Sequence, residues 1–266
     1  MRYLRRGSGP AIVLLHGLLG YSFSWRFAIP QLARQATVFA PDMLGAGFSG
    51  RPAEMDCSLR ANAERILHFL DEVGVETADL LGTSYGGAVV MMAAALQPQR
   101  VRCLILVAPV NPWSARGRRL APFLSCGPVA GLFLVLAPLL EIAHSVLLRR
   151  LYGDTRRIPP GTLEGYAAPF AIPGSFGYAI NLLKTWNSDL HQLESMLPRL
   201  SEIPTLLLWG SEDRAVNPAS ALILRQQLPH SRLIVFDGVG HLPYEEAPEL
   251  FNRAVSDFLM SAGAPY

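Results

Sequence analysis

The sequence predicts a doubly wound, mostly parallel α/β sheet with a helical cap inserted late in its order. Three observations predict it. Through the first 110 residues, continuous apolar runs of strand length alternate with helical stretches. From Asn111 to about Leu200 that alternation stops, and helical patterns broken by prolines and loops replace it. It resumes at Pro204 and runs to the closing helix. Residues 1–110 and 201–266 are therefore expected to form the core, and 111–200 the cap.

Composition agrees with one large α/β domain and an insertion. Of 266 residues, 50% are hydrophobic and 17% charged, enough for a large core. A net charge of +2 gives no electrostatic footprint for nucleic acid. Cys57, Cys103 and Cys126 are odd in number, widely spaced and without a Cys-x-x-Cys pair, which argues against structural zinc and a disulfide scaffold. Lys184 is the only lysine, a compositional bias without chemical meaning. No apolar stretch follows Arg5-Arg6 as a secretory signal would require, so a cytoplasmic location is expected.

Taken in order, Met1 to Arg6 reads as a short strand and Gly7 to Pro10 as a turn. Ala11-Ile12-Val13-Leu14-Leu15 has no polar face, as expected of a strand buried on both sides. It ends in His16-Gly17-Leu18-Leu19-Gly20, where His16, preceding the glycine that shapes the loop, reads as a loop-organising side chain rather than a base. Tyr21 to Arg34 reads as one helix with Trp25, Ile29 and Leu32 on a single face. Thr37 to Ala40 is a strand leading into the glycine-rich loop 41–52. That loop has no third glycine in register and no Gly-Lys-Ser/Thr, so a phosphate-binding reading is weak; a turn in which Asp42 accepts local backbone N–H groups fits better. Ser58 caps a helix running to Val73, with Leu59, Ile66, Leu67 and Leu70 inward and Gly74 ending it.

Ala78 to Leu81 then enters Gly82-Thr83-Ser84-Tyr85-Gly86-Gly87, and Ala88 to Leu96 leaves it as a buried helix. Strand, tight turn and helix form the context that the Gly-x-Ser-x-Gly nucleophile elbow requires. The glycines suit a turn where strand and helix approach too closely for a Cβ. The bare pattern is weak alone, since glycine between strand and helix is common for structural reasons. Val101 to Ala108 is the next strand.

Within the cap, Ala121 to Leu148 is strongly apolar: Phe123, Leu124, Val129, Leu132 to Leu136, Leu139, Leu140 and Val146 to Leu148, with only Glu141 and His144 ionisable. The length would suffice for a membrane span, but Pro128 and Pro138 interrupt it inside an α/β frame. Short helices covering a site suit it better, with peripheral membrane or lipid contact as the sharper alternative. Phe123 to Leu140, Trp113, Phe170 and Trp186 are candidate pocket residues. Arg149, Arg150, Arg156 and Arg157 form a basic cluster, ordinarily solvated surface.

Strands 204–209 and 232–236 end in Gly210-Ser211-Glu212-Asp213 and in Asp237-Gly238-Val239-Gly240-His241; Pro248 to Met260 closes the chain as an amphipathic helix. A serine is a weak nucleophile at neutral pH. It needs a base, and the base needs a partner that holds its tautomer. Ser84, Asp213 and His241 occur in the order the elbow mechanism predicts, each after a strand end. Glu212 and Asp237 compete with Asp213 less well, and the loop after residue 108 offers Asn111 and no carboxylate. The backbone amides of Leu18 and Tyr85 are the expected oxyanion donors, worth roughly 3 kcal/mol each.

On these stretches, together with Asp42-Met43-Leu44-Gly45-Ala46-Gly47-Phe48-Ser49 and Glu246-Ala247-Pro248, the chain resembles the α/β-hydrolase-fold superfamily of esterases, epoxide hydrolases and haloperoxidase-like enzymes. The resemblance covers nearly everything outside the cap. It implies a sheet lacking the family's usual first strand. Ser84 departs from the elbow aspartate of epoxide hydrolases and haloalkane dehalogenases. Leu242 departs from the tryptophan common after the histidine of carbon–carbon bond hydrolases, and Thr83 and Tyr85 depart from the prolyl-peptidase elbow. The expectation is a serine esterase acting on a small hydrophobic ester through an acyl-enzyme, without metal or organic cofactor. Carbon–carbon hydrolysis, acyl transfer or perhydrolysis with the same residues, and a non-catalytic binding protein on this frame, are the alternatives.

Overall fold

The computed structural model describes residues 1–135 and 140–262. Its strands are β1 (Tyr3–Arg6), β2 (Ala11–Leu15), β3 (Thr37–Pro41), β4 (Ala78–Thr83), β5 (Val101–Val107), β6 (Thr205–Gly210) and β7 (Ser231–Phe236). They form one sheet in the order β1-β3-β2-β4-β5-β6-β7, parallel except for β1, which runs antiparallel to β3. The chain lays β3 on one side of β2 and β4 on the other. Strand order therefore reverses at β2, and a crevice opens at the carboxyl ends of β2 and β4, where α/β sheets bind ligands.

The apolar runs are buried on both faces because the sheet separates two cores. Val13 and Leu15 of β2 point into one; Ile12 and Leu14 point into the other. The first core is covered by α2 (Leu59–Glu72) and α3 (Tyr85–Leu96), the second by α1 (Ile29–Leu32) and the closing helix. Ser58 caps α2 as its sequence predicts, its hydroxyl accepting from the Ala61 amide at 3.2 Å. Helix α3 is buried on every side except near its end, so its sequence shows no polar stripe.

The predicted helix from Tyr21 to Arg34 is not continuous. It divides into a 3-10 turn at Ser22–Trp25 and the short α1. Pro30 is the physical reason. It has no N–H for the Arg26 carbonyl, and its ring would strike that carbonyl in an unbroken helix. The predicted inward residues Trp25, Ile29 and Leu32 are nevertheless all buried.

Among the described residues, no strand lies between β5 and β6. That stretch holds α4 (Ala115–Leu124), α5 (Gly127–Val135), α6 (Leu140–Leu151), α7 (Thr162–Ala167) and α8 (Ser175–Met196). Leu136, Pro138 and Leu139 lie outside the described residues, as do the side chains of Phe133, Leu134, Val135, Leu140, Glu141 and His144. No described helix is long and apolar enough to cross a membrane. Helix α8 anchors the insert: Tyr178, Leu182, Trp186, Leu190 and Leu193 bury one stripe in the first core, and Asp189 accepts from the Leu59 amide at 3.1 Å. The chain then finishes with α9 (Ala219–Gln227), α10 (Pro243–Glu246) and α11 (Pro248–Ala262).

Candidate active site

Ser84 stands between β4 and α3 with φ 52° and ψ −120°, a conformation that non-glycine residues rarely hold. Its neighbours impose that geometry. The Ser84 amide donates to the Val107 carbonyl at 2.9 Å, and its carbonyl accepts from Gly87 and Val110 at 3.0 and 2.9 Å. A Cβ on Gly82 would collide with the Gly86 carbonyl, as the sequence reading expects. A Cβ on Gly86 would instead collide with the Leu15 and His16 carbonyls, and one on Gly87 would come 2.6 Å from the Pro109 side chain. The elbow is thus wedged between the ends of β2 and β5 as well as against its own strand.

Gly17 lies against the serine, since a Cβ there would sit 3.1 Å from the Ser84 Cβ. Leu18, beside it, shares the pocket with Ser84. Tyr85 opens α3, where a backbone N–H has no acceptor within the helix. Its side chain turns inward, its hydroxyl accepting from Asn62 and its ring stacking on Trp186.

The loops after β6 and β7 bring Asp213 and His241 together. His241 Nδ1 donates to Asp213 Oδ2 at 2.7 Å, with both side chains buried. The other carboxylate oxygen accepts from the Ala215 and Val216 amides at 2.7 and 2.9 Å, so the aspartate is fixed at both ends. Glu212 and Asp237 are exposed. Asn111, where a carboxylate would have offered an alternative, is a buried loop residue that donates to the Pro109 carbonyl and Ser220 hydroxyl.

Two acidic side chains on α10 have structural roles whose partners the sequence does not announce. Buried Glu246 accepts from the Gly240 amide at 2.8 Å, and from the Gly153 and Asp154 amides at 3.0 and 2.9 Å. It ties the histidine loop to the chain leaving α6. The His241 amide adds a second tie, donating to the Leu151 carbonyl at 2.6 Å. Glu245 pairs with both terminal nitrogens of Arg26 and accepts from the Tyr152 and Tyr166 hydroxyls at 3.1 and 2.7 Å. Burial, reinforced by the Glu245 charge, pushes the Tyr166 hydroxyl well above its usual range and keeps it a donor.

His16 and Asp42 organise loops, as their positions predict. His16 Nδ1 donates to the Gly17 carbonyl at 2.8 Å and Nε2 accepts from the Met43 amide at 3.0 Å, a pairing only the neutral ring can make. Burial lowers its pKa against the opposing pull of the Gly17 carbonyl and Asp42. Asp42 accepts from the Ser22 and Phe48 amides and pairs with Arg2. Among the described residues, no group of three or more His, Cys, Asp or Glu side chains could hold a metal ion.

Ser84 and His241 line one cavity of about 230 Å³. Its other walls are Gly17 to Gly20, Ser24, Leu147, Leu148, Leu151, Tyr166, Ala215, Leu242 and Tyr244. Among the described residues, no arginine or lysine lines it. Of the candidate pocket residues proposed from sequence, 133–140 lie outside the described side chains, and those described fall elsewhere. Phe123 is 62% exposed, Trp186 packs over Gly117, Trp113 lines a neighbouring recess that shares Ala215 with the cavity, and Phe170 lies against Phe176. The end of α6 and Tyr166 supply the wall instead, because the last turn of α6 packs on the histidine loop.

The family model for the alpha/beta hydrolase fold matches residues 10–248. The chain belongs to the α/β-hydrolase-fold family. It is a hydrolase of that fold. It is 29% identical over 278 residues to a 2-hydroxymuconate semialdehyde hydrolase of Pseudomonas sp. (strain CF600), an alignment covering 97% of this chain and 89% of the relative. A bacterial membrane phospholipase A is 27% identical with a TM-score of 0.78, covering 98% and 83% of the two chains. The haloalkane dehalogenase of Bradyrhizobium elkani USDA94 superposes with a TM-score of 0.85 at 24% identity, covering 98% and 94%; at that identity the likeness is one of fold.

Proposed function

We propose that this hydrolase cleaves uncharged carboxylic esters with an apolar acyl or alcohol group, using Ser84 as nucleophile. One observation carries the reading: a strained serine shares a cavity, apolar and free of cations among the described residues, with a histidine whose far nitrogen is bonded to a buried aspartate. With Nδ1 donating to Asp213, the Nε2 lone pair of His241 is the base. It takes the Ser84 proton as Oγ attacks the acyl carbon. The oxyanion is met by the Leu18 and Tyr85 amides, the latter at the positive end of α3. His241 returns the proton to the departing alcohol, then activates water to release the acid. The cavity lies below the roughly 300–1,000 Å³ of drug-sized ligand sites, which favours butyryl to octanoyl groups. The relative named as a phospholipase A is a carboxylic ester hydrolase by its name.

The relative named for 2-hydroxymuconate semialdehyde supports a second reading, hydrolysis of a carbon–carbon bond next to a carbonyl with the same residues. Such a substrate is a carboxylate, and burying an unpaired carboxylate is costly. The absence of a cation from the described cavity wall, and Leu242 after the histidine, favour the neutral ester. A series of p-nitrophenyl esters run beside a 2-hydroxy-6-oxo-dienoate tests the choice. The ester reading expects turnover that peaks above acetate. Turnover of the dienoate alone would give the site to carbon–carbon hydrolysis.

A further inference from the structure

The helices of the insert expose large apolar side chains and arginines together. Phe123 and Leu132 are 62% and 60% exposed, and Leu120 and Val146 are about half exposed. Arg118 and Arg119 are exposed on α4 beside Leu120 and Phe123, and Arg149 and Arg150 on α6 beside Val146; Leu132 stands on α5. Between positions 112 and 151 the sequence has five arginines and a single acid, Glu141, so the rest of this +2 chain is net acidic. Leu147 belongs to both surfaces: it is half exposed, and it lines the cavity that holds Ser84.

We propose that these helices dock on the surface of an anionic lipid bilayer, with the apolar side chains at the acyl boundary and the arginines at the headgroups. Charge selects the bilayer over a second copy of the chain. A two-fold contact would set the same arginines against one another, whereas an anionic leaflet neutralises them. Bulky apolar side chains beside arginine are the composition of helices that lie in the interface plane. The docked face carries Leu147, so the edge of the cavity meets the lipid and an apolar substrate reaches Ser84 without crossing water. The docking does not depend on the proposed chemistry, and its failure would leave that chemistry standing.

The test is co-sedimentation with phosphatidylcholine vesicles and with phosphatidylglycerol-rich vesicles. One arginine at an anionic surface contributes on the order of fivefold in partitioning, so the anionic vesicles are expected to bind more than tenfold better, and rising salt to release the protein. Phe123→Ser with Leu132→Ser, and separately Arg119→Gln with Arg149→Gln and Arg150→Gln, should each cut vesicle binding at least tenfold. Neither set touches the cavity wall, so turnover of a soluble ester without vesicles should stay unchanged and certify the fold. Equal binding to both lipids, no binding to either, or variants that sediment like the parent would overturn the proposal. So would a dimer in light scattering that dissociates on loss of Phe123 without any vesicle binding.

Discussion

Removal of the Glu246 carboxylate should damage both stability and turnover. Its side chain is fully buried, and its two oxygens accept from the Gly240, Gly153 and Asp154 amides, with Arg157 at 3.5 Å. Hydrogen bonds to a charged acceptor are worth about 1.5–3 kcal/mol, and an orphaned buried donor costs a similar amount. Glu246→Ala orphans three donors, part of which water can recover, so a loss of about 3–5 kcal/mol is expected. Glu246→Gln keeps one acceptor oxygen. Turning its amide toward Asp154 and Arg157 preserves the bonds to Gly240 and Gly153, and the loss falls to about 1–3 kcal/mol. Calorimetry should show the alanine melting on the order of 10 °C below wild type, with the glutamine between. The turnover effect follows from Gly240, which precedes His241 and is held by this carboxylate. Small misplacement of a reacting group costs up to about 10²-fold, so kcat should fall further than KM rises. Wild-type melting and kcat in Glu246→Ala would refute the reasoning.

Other expectations follow from the same geometry. In Asp213→Asn the Ala215 and Val216 amides hold the side-chain oxygen, which turns the NH₂ toward His241; Nδ1 must then accept, Nε2 carries the proton, and kcat should fall by about 10³–10⁴ with the melting temperature little changed. Undiminished kcat would move the acid role elsewhere. Ser84→Gly and Ser84→Ala should both be inactive, but glycine relieves the positive φ and should be the more stable by about 1 kcal/mol; equal denaturation midpoints would remove strain from the elbow. His16 has a lowered pKa in the folded state, so between the unfolded value near 6.5 and that lower value the unfolded chain binds the proton first. Its stabilisation is complete above that range and is lost as pH falls. His16→Gln should flatten the acid slope of urea midpoints, and a slope identical to wild type would contradict a buried neutral ring.

What could be read from the sequence divides along a physical line. Strands buried on both faces leave uninterrupted apolar runs, so β2, β4, β5 and β6 were visible with boundaries within two residues. The order Ser84, Asp213, His241 was visible because each follows a strand end, and parallel topology brings such ends to one rim. The roles of His16 and Asp42 were legible for the same reason. The break in the 21–34 stretch has its signal in Pro30, but the helical spacing of Trp25, Ile29 and Leu32 runs through it and hides it. The cavity wall was less legible still. Leu147, Leu148 and Leu151 look no different from Phe123 or Leu132 in a long apolar stretch; only the packing of α6 on the histidine loop separates wall from outer face. Glu246 carried a signal in being an acid five residues after His241, but its partners are backbone amides, which leave no trace in side-chain pattern.

The most direct test of the proposed chemistry is intact-mass analysis after rapid acid quenching of a p-nitrophenyl ester reaction, with peptide mapping of any adduct. An acyl increment on Ser84, which grows with the nitrophenol burst and is absent from Ser84→Ala, is the result expected. Steady release of nitrophenol without an adduct, or an adduct on another residue, would contradict the account.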